Sequence, residues 1–541
     1  MISNYHGYYT TNTTMPSSSY SPSPKEGTDE RRDDEREEGK DGLRDEGIKT
    51  QFITREGIYK SQCMAEYIKI ATRLPTSPGQ TSTTLSTLNV PVRVSMSSID
   101  GGNDCRIAFN IGRELFIYEY NEKNQSIDPS KPLDKRIYKG TYPTAHSFNK
   151  YIDNEENCTI IIGFSAGQIQ QLDPLQKDIQ TSRLFNEDRL IDRTPVTCIN
   201  WIPFEQSLFV VSHSSGNLYL YDTEITCSLT PPIYHVIKGG NGYTIYSNKS
   251  KENRLPINPL TRWKIGKGSL HQFEFSKNNN NNENLLLGTV SHDGFLRIFN
   301  YTNMELIIQM KSYFGGLLCL DWSPDNKYIV TGGEDDMITV FNVNEEKVIA
   351  RGQGHKSWIS QVKFDPYMTV TEEEVKRRRG NKFCRTTAVN DDEIVYRVGS
   401  VGFDAEIALW EVTEEILTTP FKKNIQSMHY IPHQQSTILS EDGGSSKKKQ
   451  PKHHRKVFSF GIKSGKELTN IVYNNNDDYI DESGMNLFGT VFCPKMDQVP
   501  VMEPMILKKI SQDRLTSLIF RKGCMITACQ EGNILVWDRP I

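Results

Sequence analysis

Residues 290–299 read VSHDGFLRIF and residues 402–410 read GFDAEIALW. In both, a short apolar stretch leads into a polar turn holding an aspartate, and alternating apolar residues then run to a large aromatic. Period-two alternation on either side of an Asp-Gly type turn marks a β-hairpin, because successive side chains of a strand point to opposite faces. The frame occurs four times, as a small hydroxyl residue, an acid four positions on and an aromatic six further: Thr289/Asp293/Phe299, Thr331/Asp335/Phe341, Ser400/Asp404/Trp410 and Thr527/Glu531/Trp537. A hairpin recurring at about 42 residues predicts a propeller of four-stranded blades. The expected class is all-β, a seven-bladed ring used as a docking platform.

Outward from these hairpins, the alternation assigns seven blades. The first takes PVRVSMSS, CRIAFNI, ELFIYEY and KRIYKG, residues 91–140, and the second centres on 158–173. The third runs from VTCINWIP to about 237, the fourth from His271 to about Met310, the fifth from Leu317 to Arg351. Blade six starts at Ile359 and its inner three strands end near Glu411; the last blade, 515–538, has three strands. That leaves an outer position unpaired. Open sheet edges are liabilities, so the strand expected at 49–60 closes the ring.

Composition separates this platform from other classes. The chain of 541 residues is 36% apolar with a net charge of −4. That charge offers no general attraction to nucleic acid or to an anionic membrane. No stretch approaches the roughly 20 apolar residues of a membrane helix. The opening MISNYHGYYTTNTT lacks a basic region followed by an apolar core, so the expected location is cytoplasmic, and nuclear as well if the basic cluster at 447–456 acts as an import signal. Ten scattered cysteines form no C-x-x-C pair and read as small strand residues. No metal or cofactor is expected.

Residues 1–47 pass from Ser, Tyr and Thr into DERRDDEREEGKDGLRDE and read as a disordered tail, since mixed charge cannot bury enough apolar area to offset chain entropy. The domain is then 48–541. Asparagines 278–282, residues 368–393 and residues 417–499 read as insertions, the last carrying KKKQPKHHRK. Those basic residues have no interleaved aromatics to stack on bases, which favours a solvated linker.

Two local patterns invite chemistry. At Gly354-His355 an imidazole can sit between Asp404 and Ser400, with Ser400 reaching the indole of Trp410. Such a buried chain satisfies its donors and ties turn to strand, so His355 reads as structural; removing Asp404 should cost about 1.5–3 kcal/mol. Gly163-Phe164-Ser165-Ala166-Gly167 fits G-x-S-x-G, yet its flanks NCTIII and QIQQLDP suit a hairpin rather than the strand and helix of a nucleophile elbow. No catalytic residue is assigned. Recognition remains. Phe314 in KSYFGGLLCL and Trp358 in GHKSWISQV each precede the innermost strand of consecutive blades. They are candidate anchors, with Tyr313, Lys356 and Ser357 as the polar surround; the alternative folds each ring over the channel or under a neighbouring loop.

The strings IKTQFITREGIYK, SKPLDKRIYKGTYPT, LFNEDRLID, SHSSGNLYLY, SYFGGLLCLDWSPDNKYIVTGGEDD, GHKSWISQVKFDPY and ITACQEGNILVWDRP together resemble the WD repeat-containing protein 20 family. That family also holds the dystrophia-myotonica-region WD protein and a fungal catabolite-repression WD protein. The resemblance implies a seven-bladed WD40 propeller that binds ubiquitin-specific cysteine proteases and raises their activity, usually beside a second WD-repeat activator. It implies that the family's protease-facing rim aromatics fall on Phe314 and Trp358. The asparagine tract and charged insertions depart from the family's serine-rich ones. A substrate receptor of a ubiquitin ligase, or a general interaction scaffold, is the rival reading.

Overall fold

The computed structural model describes residues 47–65, 90–98, 104–176, 182–248, 256–277, 285–380, 393–420 and 486–540. All of the sequence-assigned tail 1–47 but its last residue, the asparagine tract and the 447–456 basic cluster lie outside them. The unit Lys49–Ile541 folds into seven sheets, antiparallel but for one short added strand, that make a β-propeller. The blades begin with Val94–Ser98, Pro143–Phe148, Val196–Trp201, Leu270–Phe275, Leu317–Trp322, Ile359–Phe364 and Leu515–Phe520 as their innermost strands.

Polar groups link these inner strands at every junction. Ser95 Oγ donates to His146 O (2.7 Å), Trp201 Nε1 to Ser147 O (3.3 Å), Asn200 Nδ2 to Phe273 O (2.7 Å) and Gln272 Nε2 to Leu320 O (3.2 Å). Phe364 N donates to Asp321 Oδ2 (2.7 Å), Leu518 N to Gln361 Oε1 (2.6 Å), and Thr516 Oγ1 to Val92 O (2.7 Å), which returns the circuit to blade one. Between each pair of neighbouring sheets lies one apolar cluster, such as Ile107, Phe109, Tyr120, Ile526 and Val536 where blade one meets blade seven. Burial in these wedges, at roughly 25 cal/mol per Å² of apolar surface, holds the blades together.

Closure uses a hairpin rather than one strand. Gln51–Thr54 pairs with Gly57–Ala65, and the latter pairs with Ile534–Asp538 in the register Ser61 to Trp537. The paired strand therefore extends beyond residue 60. Phe52 and Tyr59 stack at 5.0 Å and Phe52 meets Trp537 at 5.1 Å, so both arms face the same core. Glu56 in the turn joins Arg397 of blade six, which also holds Glu411 at 2.6 Å.

Two further assignments need correction. In blade three the fourth position belongs to Thr261–Ile265, while Tyr243–Ser247 and His235–Gly240 extend the sheet beyond it. Trp263 and Ile265 bury against blade four, whereas Val236 and Ile237 are exposed; burial, not apolar content, decides which strand is structural. The 417–499 insertion is shorter than expected at its far end. Leu487, Phe492, Cys493 and Val499 pack into the wedge between blades four and five, and Val501–Met502 adds a parallel strand to blade five. Ile506–Lys509 then completes blade six. Residues Glu372–Gly380 of the 368–393 insertion form a short helix.

Candidate interaction rim

Blade six shows how the chain builds this end of the ring. Trp410 Nε1 donates to Ser400 Oγ (2.8 Å), Ser400 Oγ lies 2.8 Å from His355 Nε2, and His355 Nδ1 lies 2.9 Å from Asp404 Oδ2. One proton arrangement satisfies every donor: indole to hydroxyl, hydroxyl to Nε2, and Nδ1–H to carboxylate. Burial opposes ionisation of Asp404, yet the hydrogen bond from His355 and the N–H groups of Lys356 and Glu406 outweigh it and hold the carboxyl below its usual range. Blade seven keeps the shorter version, Trp537 Nε1 to Thr527 Oγ1 at 3.0 Å.

The other blades with the four-residue frame hold their turns differently. In blade four Asp293 pairs with Arg297 of the next strand (2.8 Å) and accepts from Ser291 (2.6 Å). In blade five Asp335 accepts from the N–H of Tyr313 (3.2 Å) and Met337 (3.4 Å), and burial pushes its carboxyl up to about 6.

Both candidate anchors are fixed to these turns, which places them at one end of the ring. Phe314 sits in a tight loop where Ser312 Oγ donates to Gly315 O (2.6 Å) and Gly316 N to Glu334 Oε2 (2.9 Å). Gly315 is required here: its φ is +60° and a Cβ would stand 2.8 Å from the Cβ of Glu334. With its neighbours tied, the Phe314 ring projects outward and is 59% exposed. Trp358 is 43% exposed, its carbonyl accepts the Phe403 N–H (2.8 Å), and its ring lies 5.6 Å from that of Phe403. Neither ring is tucked under a loop.

The surround divides. Lys356 is exposed, donating its N–H to Asp404 (2.9 Å) and placing Nζ 3.7 Å from Glu406, and Ser357 is half-buried beside it. Tyr313 turns inward instead, under the Arg351 guanidinium at 4.7 Å and 6.0 Å from Phe488. It supports the Phe314 loop from below. Sequence reasoning missed Phe403 and Arg514, which stacks on it at 4.7 Å. An aromatic in a hairpin turn beside Asp404, where polar residues prevail, was the available signal.

Around Ser165 the strands Ile160–Phe164 and Ile169–Leu172 pair antiparallel, and Ser165 Oγ lies 3.1 Å from Thr141 Oγ1. The elbow geometry of strand and helix is absent at that serine.

Comparison with known proteins agrees with the architecture. The WD domain, G-beta repeat family matches residues 305–342, which span the outer strand of blade four and the first three strands of blade five. A chain in the crystal structure of the mitotic checkpoint complex aligns with 88% of this chain and 99% of its own length at 10% identity, with a TM-score of 0.43, too low to add to the fold described. WD repeat-containing protein 20 of Mus musculus is 39% identical over 91% of this chain and 96% of its own length. The WD repeat-containing protein 20 homolog of Caenorhabditis elegans is 34% identical over 92% of this chain and 83% of its own. The chain thus belongs to the WD repeat-containing protein 20 family.

Proposed function

We propose that this propeller binds a ubiquitin-specific cysteine protease through the rim carrying Phe314 and Trp358 and raises its activity. The observation that supports this most is a pair of exposed aromatics on adjacent blades, each held by a hydrogen-bonded loop and neither needed to fill the core. Rigid aromatic anchors are what interface hot spots are made of, because they bury large area with little ordering cost. The propeller supplies no reacting group. It acts by gripping the protease away from its cysteine, and activation follows if the grip is tighter on the catalytically arranged conformer.

The test is affinity capture with wild type against Phe314→Ala/Trp358→Ala, paired with protease turnover on adding the pure propeller. Loss of a ubiquitin protease with an unchanged melting temperature is expected. Retention of the protease by the double variant removes the two residues from the site. Recovery of a ligase adaptor, with protease turnover indifferent to the propeller, would replace this reading by the substrate-receptor one.

A further inference from the structure

Where blade two meets blade three, the outer side of the ring carries a cavity of about 430 Å³. One wall is the outer strand of blade two, Arg183–Phe185, with the loop that follows it to Ile191. The other is Glu224–Leu229, which leaves the third strand of blade three. The cavity is thus apart from Phe314 on blade five and Trp358 on blade six.

Buried asparagines fix both walls. Asn186, left-handed at φ +53°, donates from Nδ2 to Gly167 O (2.8 Å) and Asp192 O (2.6 Å), and its Oδ1 accepts the Ile191 N–H (2.9 Å). Asn258 donates from Nδ2 to Asp222 O and Ile225 O, both at 2.7 Å, and from its backbone to Thr226 O (3.1 Å). Arg183 ties one wall to the other by donating to Thr223 O. Walls held in this way need little ordering when something binds between them.

The lining divides by chemistry. Phe185 is buried, and Ile191 and Cys227 pack onto the apolar cluster between blades two and three, so the floor is an outward face of the core. Leu229, 87% exposed, carries that apolar surface outward. Glu187, Asp188 and Glu224 are exposed carboxylates of the lining, and among the described residues none of them forms an ion pair. Glu224 accepts the Thr223 hydroxyl at 3.3 Å. The one base of the lining, Arg183, is engaged with Thr223, and Arg189 and Arg193 of the same loop do not line the cavity. Its opening is therefore negative. An apolar cavity of about 150 Å³ holds a benzene, so this one has room for two side chains.

We propose that the cavity receives a short segment of a partner protein in which an aliphatic residue stands next to a lysine or arginine. The aliphatic side chain lies on the floor formed by Phe185, Ile191 and Cys227, and the cation stands among Glu187, Asp188 and Glu224. Long basic side chains suit this place, because their methylene stems cover apolar surface while the charge stays at the wet opening. An acidic segment is repelled, and a wholly apolar one gains nothing from the three carboxylates.

Cys227 makes a local test possible. Three short peptide amides, each cysteine–glycine–leucine followed by lysine, norleucine or glutamate, are supplied to the full chain as mixed disulfides in a thiol buffer. Mildly alkaline pH is used, because burial raises the Cys227 thiol and exchange needs the thiolate. Mass spectrometry reads how much of each peptide Cys227 holds, and the unfolded chain supplies the reference ratios. In the folded protein the lysine peptide should exceed the norleucine one about threefold and the glutamate one about tenfold. Glu224→Gln/Asp188→Asn should bring lysine and norleucine within about twofold at an unchanged melting temperature, since both side chains are exposed. High salt should erode the wild-type preference in the same way, a reading that does not depend on the variant folding. A preference for norleucine assigns a wholly apolar occupant and one for glutamate an acidic occupant, and either overturns the proposal. So do ratios equal to those of the unfolded chain, a lysine preference that survives both the variant and salt, or a folded protein that holds no peptide at Cys227.

Discussion

Ser400 is the junction of the blade-six network, and Ser400→Ala tests whether that network holds the blade. The substitution removes one oxygen and leaves two partners unmet, the indole N–H of Trp410 and Nε2 of His355, in a place where Ser400 and Trp410 have no exposed surface. A buried polar group stripped of its partner costs about 1–3 kcal/mol, so about 2–6 kcal/mol is expected for the pair. Thr527→Ala in blade seven strands only the Trp537 N–H and should cost about half as much. In Ser400→Ala/Trp410→Phe the indole N–H is gone as well, so the double variant should be less destabilised than the sum of the singles by about 1–2 kcal/mol. Guanidinium unfolding followed by far-UV circular dichroism supplies the numbers, with an unchanged slope showing that the unfolded state is the same. Equal costs for Ser400→Ala and Thr527→Ala, with additive singles, would refute the argument that one hydroxyl serves two buried donors and acceptors.

Asp335 predicts a pH effect of opposite sign to the usual carboxylate. Its folded pKa is raised to about 6, so the folded state binds the proton more tightly, and stability is lost as pH rises from about 4 through about 6. Asp335→Asn should raise stability by about 1–2 kcal/mol at pH 7.5 and by little at pH 4; melting curves at the two values check this, and a variant less stable at pH 7.5 counts against it. Phe52→Ala should cost about 3–5 kcal/mol, because Phe52 stacks on Tyr59 and Trp537 in the closing hairpin. Its loss should also loosen the Gly57–Ala65 strand enough for light scattering to detect self-association through the exposed edge.

The ring was legible where side-chain chemistry and strand period agree. Ser400 and Trp410, and Thr527 and Trp537, announce their bond by type and spacing, since indole has one donor to satisfy. Blade four was less readable because its turn is held by Arg297, buried beside Asp293, and an arginine in a strand reads as solvent-facing. Blade three misled because its outer strand was ended near residue 237, and only packing against blade four picks out Thr261–Ile265. The segment carrying Leu487 and Phe492 was hidden by the charged residues before it; its contribution to the sheet is the two-residue strand Val501–Met502, too short to show a period. At the rim, Phe314 and Trp358 stood out as aromatics in loops, whereas the cover over Tyr313 was not legible, because Arg351 comes from Lys347–Gln353, the outer strand of the same blade.

The network in blade six and the rim anchor are one device. Asp404 accepts from His355 and from the Lys356 N–H, and the adjacent Phe403 N–H donates to the Trp358 carbonyl, so the turn that stabilises the blade also fixes the loop that presents Trp358. Stability and presentation can be separated by comparing two variants of similar cost. Asp404→Ala and Thr527→Ala should each lower stability by about 1–3 kcal/mol. Only the first frees Trp358, and a partner must then order it at about 0.5–1.5 kcal/mol, a two- to tenfold loss of affinity. Binding to a protease that the wild type captures in the proposed test, measured well below both melting temperatures, should weaken for Asp404→Ala alone. If Thr527→Ala weakens it as much, the rim responds to overall stability, and Asp404 has no positioning role for Trp358.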